Sequence, residues 1–208
     1  MVSSQNLRRS MIPYTKCICI VYLTTLLLAC ANSNSVVRSD RPSSRYSTEF
    51  KKAVATMQSG DVVSAKAAFE ALTEKVPNYS GPWTNLGIIS AEQRDYVKAE
   101  AYFNEALRCQ SNNTIAMNWL GYLRAVRKDY SSAEKWYLRA IAIDPRYAEA
   151  HLNIAMLYEA NMRRPKDALE HYRIYQSHTN GESTLVAAWI RNLEESSNYV
   201  ASNAELSK

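Results

Sequence analysis

Hydrophobic and polar positions divide the chain into three stretches of different texture. From Cys17 to Ala29 the residues are apolar with only two threonines among them, and from Ala31 to Arg45 they are mostly Ser, Asn and Arg. From Tyr46 to His178 apolar residues fall three and four apart, the spacing that places a single apolar stripe on each of a series of amphipathic helices. After the turn at Asn180-Gly181, the residues Val186, Trp189, Ile190 and Leu193 share one helical face between Ser183 and Glu195. The pattern predicts an all-α chain, with a leader and a tether ahead of its helices.

The helical stretch repeats itself. Ala65-x3-Phe69, Ala99-x3-Phe103-x2-Ala106 and Ala133-x3-Tyr137-x2-Ala140 recur 34 residues apart, with Pro77 and Pro145 following the first and third. Trp83-x2-Leu86-Gly87 and Leu120-Gly121 hold the same interval upstream. This register resembles that of the tetratricopeptide repeat, Trp-x2-Leu-Gly-x2-Tyr followed by Ala-x3-Phe and Pro. The resemblance implies a right-handed α-solenoid of about four helix-turn-helix units plus a C-terminal capping helix. Gly87 and Gly121, with Ala53 and Ala155 at the same place, keep the first helix small where the second crosses it. Ala65, Ala99 and Ala133 do the same from the second helix, while Phe69, Phe103 and Tyr137 fill the space towards the next unit. Pro77 and Pro145 end second helices, which proline cannot continue.

The repeats are expected at about 46–79, 80–113, 114–147 and 148–178. The first has Glu49 where Trp would stand. In the fourth, the small residue of the second helix is Ala168, one position late, so an extra residue lies within Asn161-Met162-Arg163-Arg164-Pro165 and Pro165 begins the helix. A capping helix at 182–196 would cover the open apolar side of the last repeat, leaving 197–208 as a loose tail.

The leader changes the reading of the whole. Arg8, Arg9 and Lys16 precede the apolar run, with no acid upstream, and the run is shorter than the ~20 residues of a transmembrane helix; this is a secretory signal. Leu27-Leu28-Ala29-Cys30 resembles the lipobox of bacterial lipoproteins, the alternative being an ordinary signal peptide that ends in Ala-Cys. The resemblance implies cleavage after residue 29, a lipid on Cys30, and anchoring to the membrane. Ala31, in place of the aspartate associated with inner-membrane retention, favours the periplasmic face of the outer membrane. Residues 30–45 then form a flexible tether.

Composition bears on this reading only after processing. The formal charge of +5 falls to +2 once the three leader cations are gone, and nucleic acid drops out as a partner. Of the 4 cysteines only Cys109 keeps a free thiol, so no internal disulfide is available; its place in the repeat suits a small buried apolar residue. No phosphate loop, nucleophile elbow or metalloprotease motif is present, and the histidines His151, His171 and His178 suggest no metal cluster. An enzyme, a cofactor and a small-molecule substrate are therefore not expected. His151 stands where the repeat wants Trp and reads as a packing substitute.

Function is expected in the groove that the first helices of such repeats line. At the fifth and ninth repeat positions stand Phe50, Val54, Thr84, Ile88, Asn118, Tyr122, Leu152 and Met156. They suit a protein or peptide partner with apolar anchors, with Asn118 available to bond its backbone. Asn85 and Asn153 match an Asn common in the repeat. The inter-helix turns also carry Arg94, Arg127, Lys128, Arg163, Arg164 and Lys166, interrupted by Asp95, Asp129 and Asp167, which reads as a solvated edge. The sequence thus predicts a lipid-anchored scaffold for an envelope complex. A pilotin-like lipoprotein for secretin assembly and a murein accessory factor are the alternatives.

Overall fold

The computed structural model describes residues 44–206 apart from 180 and 182, with side chains from 45 to 196. The leader, Cys30 and the tether up to residue 43 lie outside the described residues. Those described form nine helices and no strand. They are α1 (Ser44–Gln58), α2 (Val62–Lys75), α3 (Ser80–Glu92), α4 (Tyr96–Cys109), α5 (Thr114–Val126), α6 (Tyr130–Ile143), α7 (Ala148–Ala160), α8 (Pro165–His178) and α9 (Thr184–Leu206).

The starts of the second helices share one device. The carboxylates of Asp61, Asp95 and Asp129 accept the backbone N–H of Ser64, Lys98 and Ser132 at 3.0, 3.1 and 3.2 Å, supplying a partner that the first helical turn lacks. The residue before each cap is left-handed: Gly60 at φ +92°, then Arg94 and Lys128 at +62°. In the last repeat that conformation falls on Arg163 at +55°, and Arg164, which follows, offers no side-chain cap. Pro165 is the first residue of α8, where its missing N–H costs nothing. The connection from α7 to α8 is one residue longer than its counterparts, which accounts for the late Ala168. Helices α2 and α6 stop two residues before Pro77 and Pro145.

Each first helix packs on its own second helix, α1 on α2 through α7 on α8, and each second helix then packs on the next first helix. Helices α3, α5 and α7 also touch in succession. The result is an all-α helical-repeat superhelix with the first helices in one layer and the second helices in the other. Ala65, Ala99, Ala133 and Ala168 are fully buried at the crossings, and Phe69, Phe103, Tyr137 and Tyr172 fill the matching gaps. The crossings leave no room for more. A Cβ on Gly87 would stand 2.5 Å from the Phe103 ring, and one on Gly121 2.6 Å from the Tyr137 ring. Leu86 and Leu120, beside these glycines, are buried on the adjoining core face.

The far end is closed by α9. Val186 and Ile190 are buried against Tyr158 and Tyr172, and the Trp189 ring lies 5.5 Å from that of Tyr172. Arg173 bonds Glu194 across the same contact at 2.6 Å. The helix runs to Leu206, past the expected end at 196 and through the stretch expected to be loose. From 196 to 206 the chain has neither Pro nor Gly to stop a helix, and Ala, Glu and Leu sustain it.

Candidate functional site

The eight residues expected to line the groove divide into two sets. Phe50 is buried between the rings of Phe69 and Tyr79, at 5.8 and 5.0 Å, and Val54 joins the same core cluster. Ile88 is buried against Ala91 and Phe103. Thr84 is fully buried; its hydroxyl donates to the Ser80 carbonyl at 3.0 Å and accepts from Asn113 at 2.8 Å. Asn118 is buried and its oxygen accepts from Asn153 at 3.0 Å, so it is not available to a ligand backbone as expected. Residues of the next repeat, which the single-repeat pattern does not register, close over Phe50, Val54, Ile88 and Asn118, whereas Thr84 is covered by Asn113 at the far end of its own repeat. Tyr122, Leu152 and Met156 remain half-exposed, all on α5 and α7 of the third and fourth repeats.

Sequence reasoning missed Trp119. It occupies the repeat position held by Asn85 and Asn153, and Asn85 there bonds only the Gly81 carbonyl of its own helix, at 2.9 Å. Trp119 is half-exposed, stacks on Phe103 at 5.9 Å and meets Tyr122 edge-on at 5.5 Å. The signal was an indole directly before Leu120-Gly121, at a position that is polar in the flanking repeats. Trp119, Tyr122, Leu152 and Met156 give α5 and α7 an aromatic and apolar surface with the amide of Asn153 among it.

Two cations of the basic edge, Arg127 and Arg164, are tied to acids of the preceding repeat. Glu100 on α4 accepts from Arg124 and, at 2.6 Å, from Arg127. One repeat on, Glu134 accepts from Arg164 at 2.6 Å and from the Tyr158 hydroxyl at 2.8 Å. Arg164 also bonds Asp167 at 2.6 Å and lies over the Tyr158 ring. Burial and the Glu134 bond push the Tyr158 phenol up to about 12. Cys109 is half-buried rather than buried, and its thiol donates to the Pro77 carbonyl at 3.2 Å; desolvation raises its pKa.

Trp83 is half-buried and donates its indole N–H to that same Pro77 carbonyl at 2.8 Å. His151, at the equivalent place in the last repeat, sets Nε2 3.1 Å from the carbonyl of the exposed Pro145. Its Nδ1 lies 2.8 Å from Nδ1 of His171. Burial holds both imidazoles below the ordinary histidine pKa. Among the described residues, no group of three or more His, Cys, Asp or Glu could hold a metal ion, and no helix is long and apolar enough to cross a membrane.

Family models of the tetratricopeptide repeat match residues 50–114 and 125–161. The chain carries tetratricopeptide repeats. Solved structures of similar fold include PilF of Pseudomonas aeruginosa, at TM-score 0.65 and 20% identity over 74% of this chain and 70% of that one. MamA follows at 0.58 and 19%, over 74% of this chain and 82% of that one. A tetratricopeptide repeat protein of Parabacteroides merdae gives 0.56 and 21%, over 77% and 67%. No curated protein sequence matches the chain. Tetratricopeptide repeats generally mediate contacts between proteins.

Proposed function

We propose that the protein is a lipid-anchored scaffold on the periplasmic face of the outer membrane. In this reading it binds a protein or peptide of an envelope complex through the inner layer of repeats three and four. The observation that carries the binding half is the half-exposed set Trp119, Tyr122, Leu152 and Met156 beside Asn153, on helices whose neighbouring faces are spent in the core. Aromatic anchors with a polar amide between them suit a segment that offers apolar side chains and a backbone to bond. The lipid half rests on Leu27-Leu28-Ala29-Cys30 after a basic and apolar leader.

Two experiments separate the halves. Cells fed a labelled fatty acid should label the wild type and not Cys30→Ala; label retained by the variant removes the anchor. Tyr122→Glu with Met156→Glu should abolish partner capture while circular dichroism stays helical, and unchanged capture removes the face. Secretin assembly is the narrower form of this reading, favoured by the combination of such a leader with such repeats. A murein contact through the basic edge loses support, because Arg127 and Arg164 are bonded to Glu100 and Glu134.

A further inference from the structure

All three histidines of the chain fall in the last repeat, and two of them form a hydrogen-bonded chain whose direction can be worked out. A carbonyl oxygen only accepts, so Nε2 of His151, 3.1 Å from the Pro145 oxygen, carries a hydrogen. Trp83 supports this independently: at the same repeat position, and also six residues after the proline, stands an indole N–H that can only donate. In neutral His151 the other nitrogen, Nδ1, is then an acceptor. Nδ1 of His171, 2.8 Å away, must be the donor. His171 thus keeps its hydrogen on Nδ1, and its Nε2 is the basic atom of the pair. The chain of bonds ties the turn after α6 to α7 and α7 to α8.

This arrangement tolerates one added proton and not two. A proton on Nε2 of His171 makes its Nδ1–H a stronger donor and leaves the bond intact. A second proton would have to sit on Nδ1 of His151, placing two N–H groups and two positive charges face to face at 2.8 Å on a side chain that is 3% exposed. The groups around the pair are Asp144 after α6, Tyr158 on α7, and Asp167, Glu170 and His178 on α8, with Arg164 in the turn. Asp144, Asp167 and Glu170 favour protonation, whereas His178 and Arg164 oppose it. The Tyr158 ring lies 5.7 Å from that of His171, and its hydroxyl is held by Glu134. From α9, Glu194 is engaged by Arg173.

We propose that the His151–His171 pair is a proton-operated latch on the C-terminal end of the array. It is closed near neutral pH and opened in acid by the second protonation, which releases α8 together with the α9 helix docked on it. Opening uncovers the apolar surface that Tyr172, Val186 and Ile190 fill. The latch acts on the array itself and does not depend on which partner the inner face takes.

The test is hydrogen exchange of the full chain read by mass spectrometry at about pH 7.5 and about pH 5, with rates corrected for intrinsic chemistry. At about pH 5 a free histidine, with a pKa of ~6.5, is protonated in all but roughly one copy in thirty, so acid favours the form in which His151 is free to take its proton. Opening of α8 and α9 should therefore rise relative to α1 to α4, by up to about thirtyfold. An unchanged ratio between the two ends overturns the latch. In His171→Gln the side-chain amide can donate to neutral His151 or, turned over, accept from protonated His151. The acid response should then shrink to within about threefold; a full response in this variant overturns the proposal. Long-range proton–nitrogen spectra of the wild type at about pH 7.5 provide a check that needs no variant. They should show Nε2–H on His151 and Nδ1–H on His171, and the reverse assignment overturns it.

Discussion

Gly87 and Gly121 show how one atom sets the spacing of a repeat. Alanine in a helix is ordinarily about 1 kcal/mol better than glycine. Here the added Cβ would meet the rings of Phe103 and Tyr137 at 2.5 and 2.6 Å, and overpacking costs about 1–3 kcal/mol. Gly121→Ala should therefore destabilise, by about 1 kcal/mol net, in urea unfolding followed by circular dichroism; a gain in stability would show that the crossing has slack. The capping aspartates give a second prediction at this scale. Hydrogen bonds from Ser64 and Ser132 hold the Asp61 and Asp129 carboxyls below the ordinary aspartate value of 3.8. A depressed carboxylate pKa stabilises the fold above the unfolded value, and that contribution is lost as pH falls through the folded one. Asp129→Ala should lower the urea midpoint at neutral pH, and the gap to wild type should narrow below about pH 4. A gap that stays constant with pH would remove the carboxylate from the account.

At the scale of helices, a single Glu from each of two second helices holds the end of the next unit's first helix and the turn after it, Glu100 through Arg124 and Arg127, Glu134 through Tyr158 and Arg164. The arginines are substantially exposed, so their part is screened by salt. Glu134→Gln should lower the midpoint in dilute buffer, with the difference shrinking in about 1 M salt; a salt-independent difference would assign the effect to the Tyr158 bond instead. Much of this level was legible in the sequence, because the landmarks Ala65, Phe69, Gly87 and Phe103 are set by contacts inside one repeat or with the next in line. The burial of Phe50 and Asn118 was not, since it depends on the next repeat, through Gly81 and Asn153, closing over them, and that of Thr84 depends on Asn113 at the far end of its own repeat. Trp119 escaped for the same reason, a departure from the pattern whose meaning lies in Tyr122 and Phe103 beside it. The pairing of His151 with His171 needed the α7–α8 crossing, which the shifted register of the fourth repeat hides.

For the whole molecule, stability is shared between neighbours along the array, so damage at one end should stay there. Val186 is buried on the face of α9 that covers Tyr172, and Val186→Asp would place an unpaired charge in that contact, at a cost of at least about 3 kcal/mol. Exchange should accelerate in α7 to α9 and stay near wild type in α1 to α4; uniform acceleration would make the array a single cooperative unit. On this reading the scaffold works through the inner layer of repeats three and four. The most direct test places a photo-crosslinking amino acid at Tyr122 of the protein in its own cells, with the same residue at Leu138, exposed on α6 of the other layer, as the control. A discrete adduct from position 122, absent from 138 and lost with Met156→Glu, is the predicted result. Adducts from 138 alone, or equal adducts from both positions, would contradict it.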